Sequence, residues 1–333
     1  MFSLFMVAAE VVILTELLAA PASLIGAMRL MASYFFPILS LIPKFDVSTL
    51  DCGEFRVHRR LRSTSIFDLA TLSTRHSLHL PYQLMDLYLS GCNLEVEILG
   101  SSDHEEALNL VQIIRSLLYL RGVFPFVIPF VTTHSINQYS GINSRDSELL
   151  RLKLPESERT GLTSETGNVE AWPADLTLQV ISFTGIRETP AQMWTDVGGE
   201  LPLWKTLESQ FHVLNLARRL LNSAPMIPDL GASILGIWQG IESLFPSVTT
   251  EVSFRLALLV SQLCAPLRNP GETFRETKKK YGVRSKIAHG SCPKSNADDW
   301  TGAWVSLCAC LRGVVERKKL PTEEELLSEL LPS

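Results

Sequence analysis

The chain has 333 residues, 46% of them hydrophobic and 20% charged, with a formal net charge of -5. That length allows two domains or one domain with an extension, and the composition excludes a disordered chain. The slight acidity excludes a general polyanion binder, so any affinity for nucleic acid must come from a local patch.

Residues 1–43 are strongly apolar, interrupted by Glu10, Glu16 and Arg29. The uninterrupted runs, 17–28 and 30–43, are shorter than the roughly 20 residues a spanning helix needs, and residues 1–6 carry no basic side chain to open a signal peptide. The expectation for residues 1–45 is therefore a buried or partner-covered helical segment. A membrane-associated hairpin broken at Pro21 and Pro37 is the less favoured alternative, and a true start at Met28 or Met31 is a third.

Residues 46–200 read as an α+β module of unstated function. Residues 55–58 suit a short strand. Arg56, His58, Arg59, Arg60 and Arg62 form a basic cluster there, more simply a solvated turn than a phosphate contact. Residues 93–99 alternate apolar and polar, as a half-buried strand does. Ser102 and Glu105 then suggest a capping box ahead of a helix that ends near Leu120 and Gly122. The prolines in 123–131 bar a central strand and leave an edge strand or a packed extended segment. His134, with Thr132, Thr133, Ser135, Asn137 and Tyr139, could line a pocket, but a hydrogen-bonded loop uses the same residues more often. Residues 155–171 read as a loop, 176–181 as a strand, and 185–199 as a polar connection.

Residues 201–333 read as an all-α bundle with short connections. Helices are expected over 203–221, after Asp229, from Thr250 or Ser253 to about Leu263, from Glu272 to His289, from Asp298 or Asp299 to Arg317, and after Thr322. The six cysteines are scattered without a CxxC, so they read as reduced, mostly buried thiols in a reducing, cytoplasmic compartment. Nothing in the chain reads as a P-loop, an HExxH or a GxSxG motif, and no metal or cofactor is expected.

The chemistry-bearing stretch is Tyr281-Gly282-Val283-Arg284-Ser285-Lys286-Ile287-Ala288-His289-Gly290. On spacing alone, cations and a glycine are what a helix C-terminus attracts. Between residues 268 and 289, Arg268, Arg275, Lys278, Lys279, Lys280, Arg284 and Lys286 face only Glu272 and Glu276. Such a patch suits phosphate contacts, although a solvated helix face accounts for it equally well.

Taken together, Tyr281-x-x-Arg284-Ser285-x-x-x-His289-Gly290 and the upstream run Ile237-Trp238-Gln239-Gly240-Ile241-Glu242-Ser243-Leu244-Phe245 resemble the Apea-like group of the HEPN superfamily. The resemblance covers residues 201–320. It implies a metal-independent endoribonuclease in which the RNA 2′-hydroxyl attacks the neighbouring phosphate and leaves a 2′,3′-cyclic phosphate. It further implies a homodimer with a composite cleft, a toxin or antiviral-defence role, and an N-terminal module that meets a sensed ligand or an antitoxin. Other members are non-catalytic scaffolds for dimerisation or RNA binding.

The residue chemistry agrees with the catalytic role. Histidine moves protons near neutral pH, and arginine offers a planar fork of donors to a developing phosphorane. His289 is thus the expected general acid/base and Arg284 the clamp, with Ser285, Lys286, Tyr281, Lys278, Lys279 and Lys280 supporting or binding RNA. Five residues rotate by about 140° on an ideal helix, so Arg284 and His289 share a face only if the helix ends or bends between them.

Overall fold

In the computed structural model the described residues are 32–76, 82–166, 171–175, 185–291 and 295–330. Most of the apolar N-terminal stretch, and the strand expected over 176–181, lie outside them. A six-stranded sheet opens the fold. Its strands are β1 (Ala32–Leu39), β3 (Thr49–Asp51), β4 (Phe55–Arg59), β5 (Cys92–Ser101), β6 (Phe130–Thr132) and β7 (Ala171–Pro173), in the order β3-β4-β5-β1-β6-β7. Every neighbouring pair is antiparallel. A parallel pair, β2 (Ile42–Lys44) with β8 (Glu188–Pro190), stands apart.

The helical expectation for the N-terminal segment fails where it can be seen, because residues 32–39 form the inner strand β1. Tyr34, Phe36 and Ile38 are buried in the main core. Leu39, of opposite parity, packs against a second cluster built from Leu69, Leu72, Leu89 and Ile136. That cluster comes largely from α1 (Ile66–His76), α2 (Tyr82–Gly91) and the loop beyond β6. A strand covered on both faces loses its polar alternation and reads as a continuous apolar run.

Pro37 is tolerated for a local reason. The N–H of Leu39 donates to Val127 O at 2.9 Å, so the nitrogen two residues earlier lies on the same side of β1. On that side the ladder to β6 is bridged only at Phe35↔Thr132. The same two-sided cover buries β5 continuously from Leu94 to Ile98, where a half-buried strand was expected, with Glu95 and Glu97 buried as well. Residues 123–129 remain a packed extended segment, while β6 beyond them pairs with both β1 and β7 and is not an edge.

Helix α3 (His104–Tyr119) lies between sheet and bundle. Its cap is Asp103, not Ser102: Asp103 accepts the Glu106 N–H at 2.9 Å, and the Glu106 carboxylate accepts from Ser102 N–H at 2.7 Å. The cap thus moves on by one residue, and the reciprocal bond from Glu106 reaches the residue before the cap and not the cap itself.

The polar connection expected over 185–199 is instead β8 and the first half of α6 (Ala191–Gln210), whose stripe Trp194, Val197, Leu201, Trp204 and Leu207 is buried. Gly198 sits inside this helix because a Cβ there would lie 2.4 Å from Cys52 O. The single helix expected over 203–221 is broken at Phe211 (φ −128, ψ 87), which ends α6 before α7 (Val213–Ser223).

The remaining helices start and stop close to the expected places. They are α8 (Leu230–Ser243), α9 (Val252–Leu263), α10 (Pro270–Ala288), α11 (Ala297–Arg317) and α12 (Glu323–Ser328). Asp229, Asn269 and Asn296 each accept an N–H from their helix's first turn, and Thr322 forms a full capping box with Glu325. Trp300 and Trp304 stack at 5.6 Å in the bundle interior, where Trp300 Nε1 donates to Ser233 Oγ at 2.7 Å. The buried apolar residues of sheet and bundle form one contiguous cluster, from Tyr34 to Leu326. Among the described residues no helix is long and apolar enough to cross a membrane.

Candidate active site at the end of helix α10

Helix α10 is the polar member of the bundle. Asn269 caps it, Pro270 occupies its first turn, and only Thr273 and Thr277 are fully buried. It is held by aromatic edges: Phe274 meets Phe254 of α9 at 5.6 Å, and Tyr281 meets Trp238 of α8 at 5.3 Å. Its basic side chains are therefore left toward solvent. Lys278, Lys279, Lys286 and His289 are exposed. Lys280 is tethered to Glu276 at 3.3 Å and to Ser306 at 3.4 Å.

The C-terminus of α10 is a Schellman cap. Ser291 N–H donates to Lys286 O at 2.9 Å, Gly290 N–H donates to Ile287 O at 3.0 Å, and Gly290 takes φ +67. A left-handed residue at this position favours glycine. The cap fixes His289 as the C-cap residue, directly after Ala288. Its ring makes no hydrogen bond among the described residues, and its backbone N–H donates to Ser285 O at 3.1 Å.

Arg284 points elsewhere. Its Nε lies 3.0 Å from Glu242 Oε1, and its Nη2 donates to Glu242 Oε2 at 3.2 Å. The guanidinium also lies 5.5 Å from the centre of the Tyr281 ring. Burial first, and then the negative charge of Glu242, push the Tyr281 hydroxyl above its ordinary range. Tyr281, Arg284, Glu242 and Trp238 thus form one cluster joining α10 to α8. Glu242 takes the Nε and Nη2 edge of Arg284, and Nη1 has no hydrogen-bond acceptor among the described residues.

The structure does not bring Arg284 and His289 together within one chain. Lys278, Ser285 and His289 instead share a stripe on α10, by the i, i+4, i+7 rule. On a different face of α10 a cleft of about 370 Å³ opens against α11, lined by Trp238, Lys279, Lys280, Val283, Asp298 and Asp299. The sequence marks Asp298 and Asp299 only as helix-start residues and assigns Glu242 no role of its own. The signal for Glu242 was its place in the run 237–245, eight buried or half-buried positions carrying one carboxylate.

The other candidate groups resolve as internal wiring. In the basic cluster, Arg56 pairs with Asp51 at 3.5 Å, His58 with Glu97 at 2.8 Å and Arg62 with Glu158 at 3.3 Å. Arg59 and Arg60 donate to backbone carbonyls. These bonds tie the cluster to the surrounding chain. The 132–139 cluster is a loop clamped on Glu95, whose carboxylate accepts from the Ser135 hydroxyl and, at 3.0 Å, from Ile136 N–H. Burial pushes Glu95 up to about 7 and lowers the basicity of His134.

Cys52, Cys92, Cys264, Cys308 and Cys310 are buried thiols; Cys292 lies outside the described residues. Among the described residues no group of three His, Cys, Asp or Glu side chains is placed to hold a metal ion. Comparison of the chain with protein-family profiles, with curated proteins and with solved structures returned no match.

Proposed function

We propose that the chain is a metal-independent endoribonuclease of HEPN type, with residues 201–333 as its HEPN bundle and RNA as its substrate. The observation that carries this reading is the meeting of the two separated segments that resemble the Apea-like group. Trp238 and Glu242 of one pack against Tyr281 and Arg284 of the other, and His289 follows on another face at the exposed end of α10. In a homodimer the exposed stripe bearing Ser285 and His289 meets its symmetry mate, and the composite cleft supplies both cation and imidazole to one phosphate.

His289 accepts the proton of the 2′-hydroxyl as its oxygen bonds to phosphorus. Arg284, held edge-on by Glu242, turns Nη1 to the equatorial oxygens, whose charge grows in the transition state. The bond from phosphorus to the 5′-oxygen then breaks. That oxygen takes up a proton, leaving a 2′,3′-cyclic phosphate and a free 5′-hydroxyl. Lys278, Lys279, Lys280 and Lys286 hold the strand by its phosphates without reading sequence. In this reading the N-terminal part restrains or triggers a cytoplasmic toxin or antiviral-defence effector, by way of a sensed ligand or an antitoxin.

A second reading, a non-catalytic scaffold that binds RNA or dimerises through α10, is favoured by one observation: within a single chain Arg284 is neutralised and turned from His289. Purified protein incubated with total RNA in chelator separates the two. Catalysis requires cleavage to cyclic-phosphate ends by the wild type and its loss in both Arg284→Ala and His289→Ala. Cleavage surviving in both variants overturns the site, and cleavage stopped by chelation overturns the metal-independent reaction. RNA binding by a folded dimer that never cleaves, unchanged in His289→Ala, selects the scaffold.

A further inference from the structure

A second basic site lies away from α10, where the sheet part meets the bundle. A cleft of about 340 Å³ there is walled by Gln112 and Arg115 of α3, Asp175 after β7, and Arg218, Arg219 and Asn222 of α7. Its volume falls within the range of small-molecule sites, roughly 300–1,000 Å³. Arg115 and Arg218 each keep only 2% of the side chain exposed. Burying a guanidinium costs several kcal/mol even when it is paired, and apolar residues would join α3 to α7 without that cost. Two such groups in one wall therefore call for a reason beyond packing.

The pairing is incomplete. Arg115 is met by Asp175 at 2.5 Å, and Arg218 by Glu208 at 2.5 Å. The Nε–H of Arg115 is buried without an acceptor among the described residues. Arg219 is exposed and has no carboxylate partner among them. Three guanidiniums thus face two carboxylates, and the cleft keeps one net positive charge. Asp175 is fixed, since its Oδ2 also accepts Ile128 N–H at 2.7 Å, and Asn222 is tied to Gln112 by two bonds. These groups form a set wall. The side-chain amide of Gln112 and the Ser223 hydroxyl supply neutral polar edges, and Met226 and Ala174 supply apolar surface.

We propose that this cleft binds a small phosphorylated ligand of nucleoside-monophosphate size, with Arg219 meeting the phosphate and the polar and apolar edges taking the organic part. Because α3 follows the sheet and α7 belongs to the bundle, the bound ligand ties the two parts together. The inference stands apart from the cleavage reaction, whose residues lie on α10.

The test is calorimetric titration of the full chain with AMP, GMP, CMP and UMP, and with inorganic phosphate as the smaller probe, beside thermal melting. At least one mononucleotide is expected to bind below about 1 mM and to raise the melting temperature, with binding weakened about tenfold or more in Arg219→Glu. Arg219 is exposed and has no partner among the described residues, so the unliganded variant should melt with the wild type. His289→Ala and Lys278→Glu should bind as the wild type does. Equal binding by Arg219→Glu, or loss in the α10 variants instead, overturns the site. Inorganic phosphate binding as tightly as the best mononucleotide overturns the ligand size. The absence of binding by all five probes at about 10 mM overturns the proposal outright.

Discussion

Replacing Glu242 with alanine strips Arg284 of the carboxylate that faces it, and the size of the effect can be worked from the geometry. At a charge separation of about 4 Å and an effective dielectric of about 20, the attraction is about 4 kcal/mol. The two side chains keep 26% and 29% of their surface in water, so solvent screening and the ordering of two long side chains remove much of that. The remainder lies between an exposed pair, about 0.5 kcal/mol, and a fully buried pair broken on one side, about 3–5 kcal/mol. A coupling of about 1–2 kcal/mol is expected. It is measured by urea unfolding of the wild type, Glu242→Ala, Arg284→Ala and the double variant, with the denaturant slope unchanged across the set. The double variant should be more stable than the two single losses added together. A coupling under about 0.3 kcal/mol would mean that water separates the two groups and that Glu242 does not orient Arg284.

Two further outcomes follow from local structure. Gly290→Ala puts a Cβ into open space, so its cost is purely that of a left-handed backbone, about 1 kcal/mol in urea unfolding; unchanged stability would contradict the Schellman cap. Glu95, pushed by burial from 4.5 to about 7, binds its proton more tightly folded than unfolded. Wild-type stability should therefore fall as pH rises from about 4.5 to about 7, by about 3 kcal/mol, and Glu95→Gln should flatten that slope in denaturation at a series of pH values.

The end of α10 was legible in the sequence because its signals are local. Gly290 supplies the left-handed residue, the lysines suit the helix terminus, and neither needs a distant partner to be read. The same is true of the caps at Asp229 and Thr322. Strand β1 was hidden because helices cover both of its faces, which erases the alternation that marks a strand. The first half of α6 was hidden by Gly198 and Gly199, which look like a loop until the close approach of Cys52 explains the first of them. Glu242 is in the sequence one carboxylate of the run 237–245, and its engagement with Arg284 is a contact across 42 positions. No periodicity in either helix reports such a contact.

The contiguous core has a consequence for how free energy is distributed over the molecule. Trp194, Val197, Leu201 and Trp204 on α6 belong to the same buried cluster as Phe36 of β1 and Trp304 of α11. Separating sheet from bundle would therefore expose apolar surface on both, which puts opening there toward the high end of local opening costs. Helix α10 contributes only two fully buried side chains, both in its first half. Its last turns, which carry Arg284 and His289, lie at the low end of this gradient. They can open and close at sub-global cost while the rest of the molecule holds its shape.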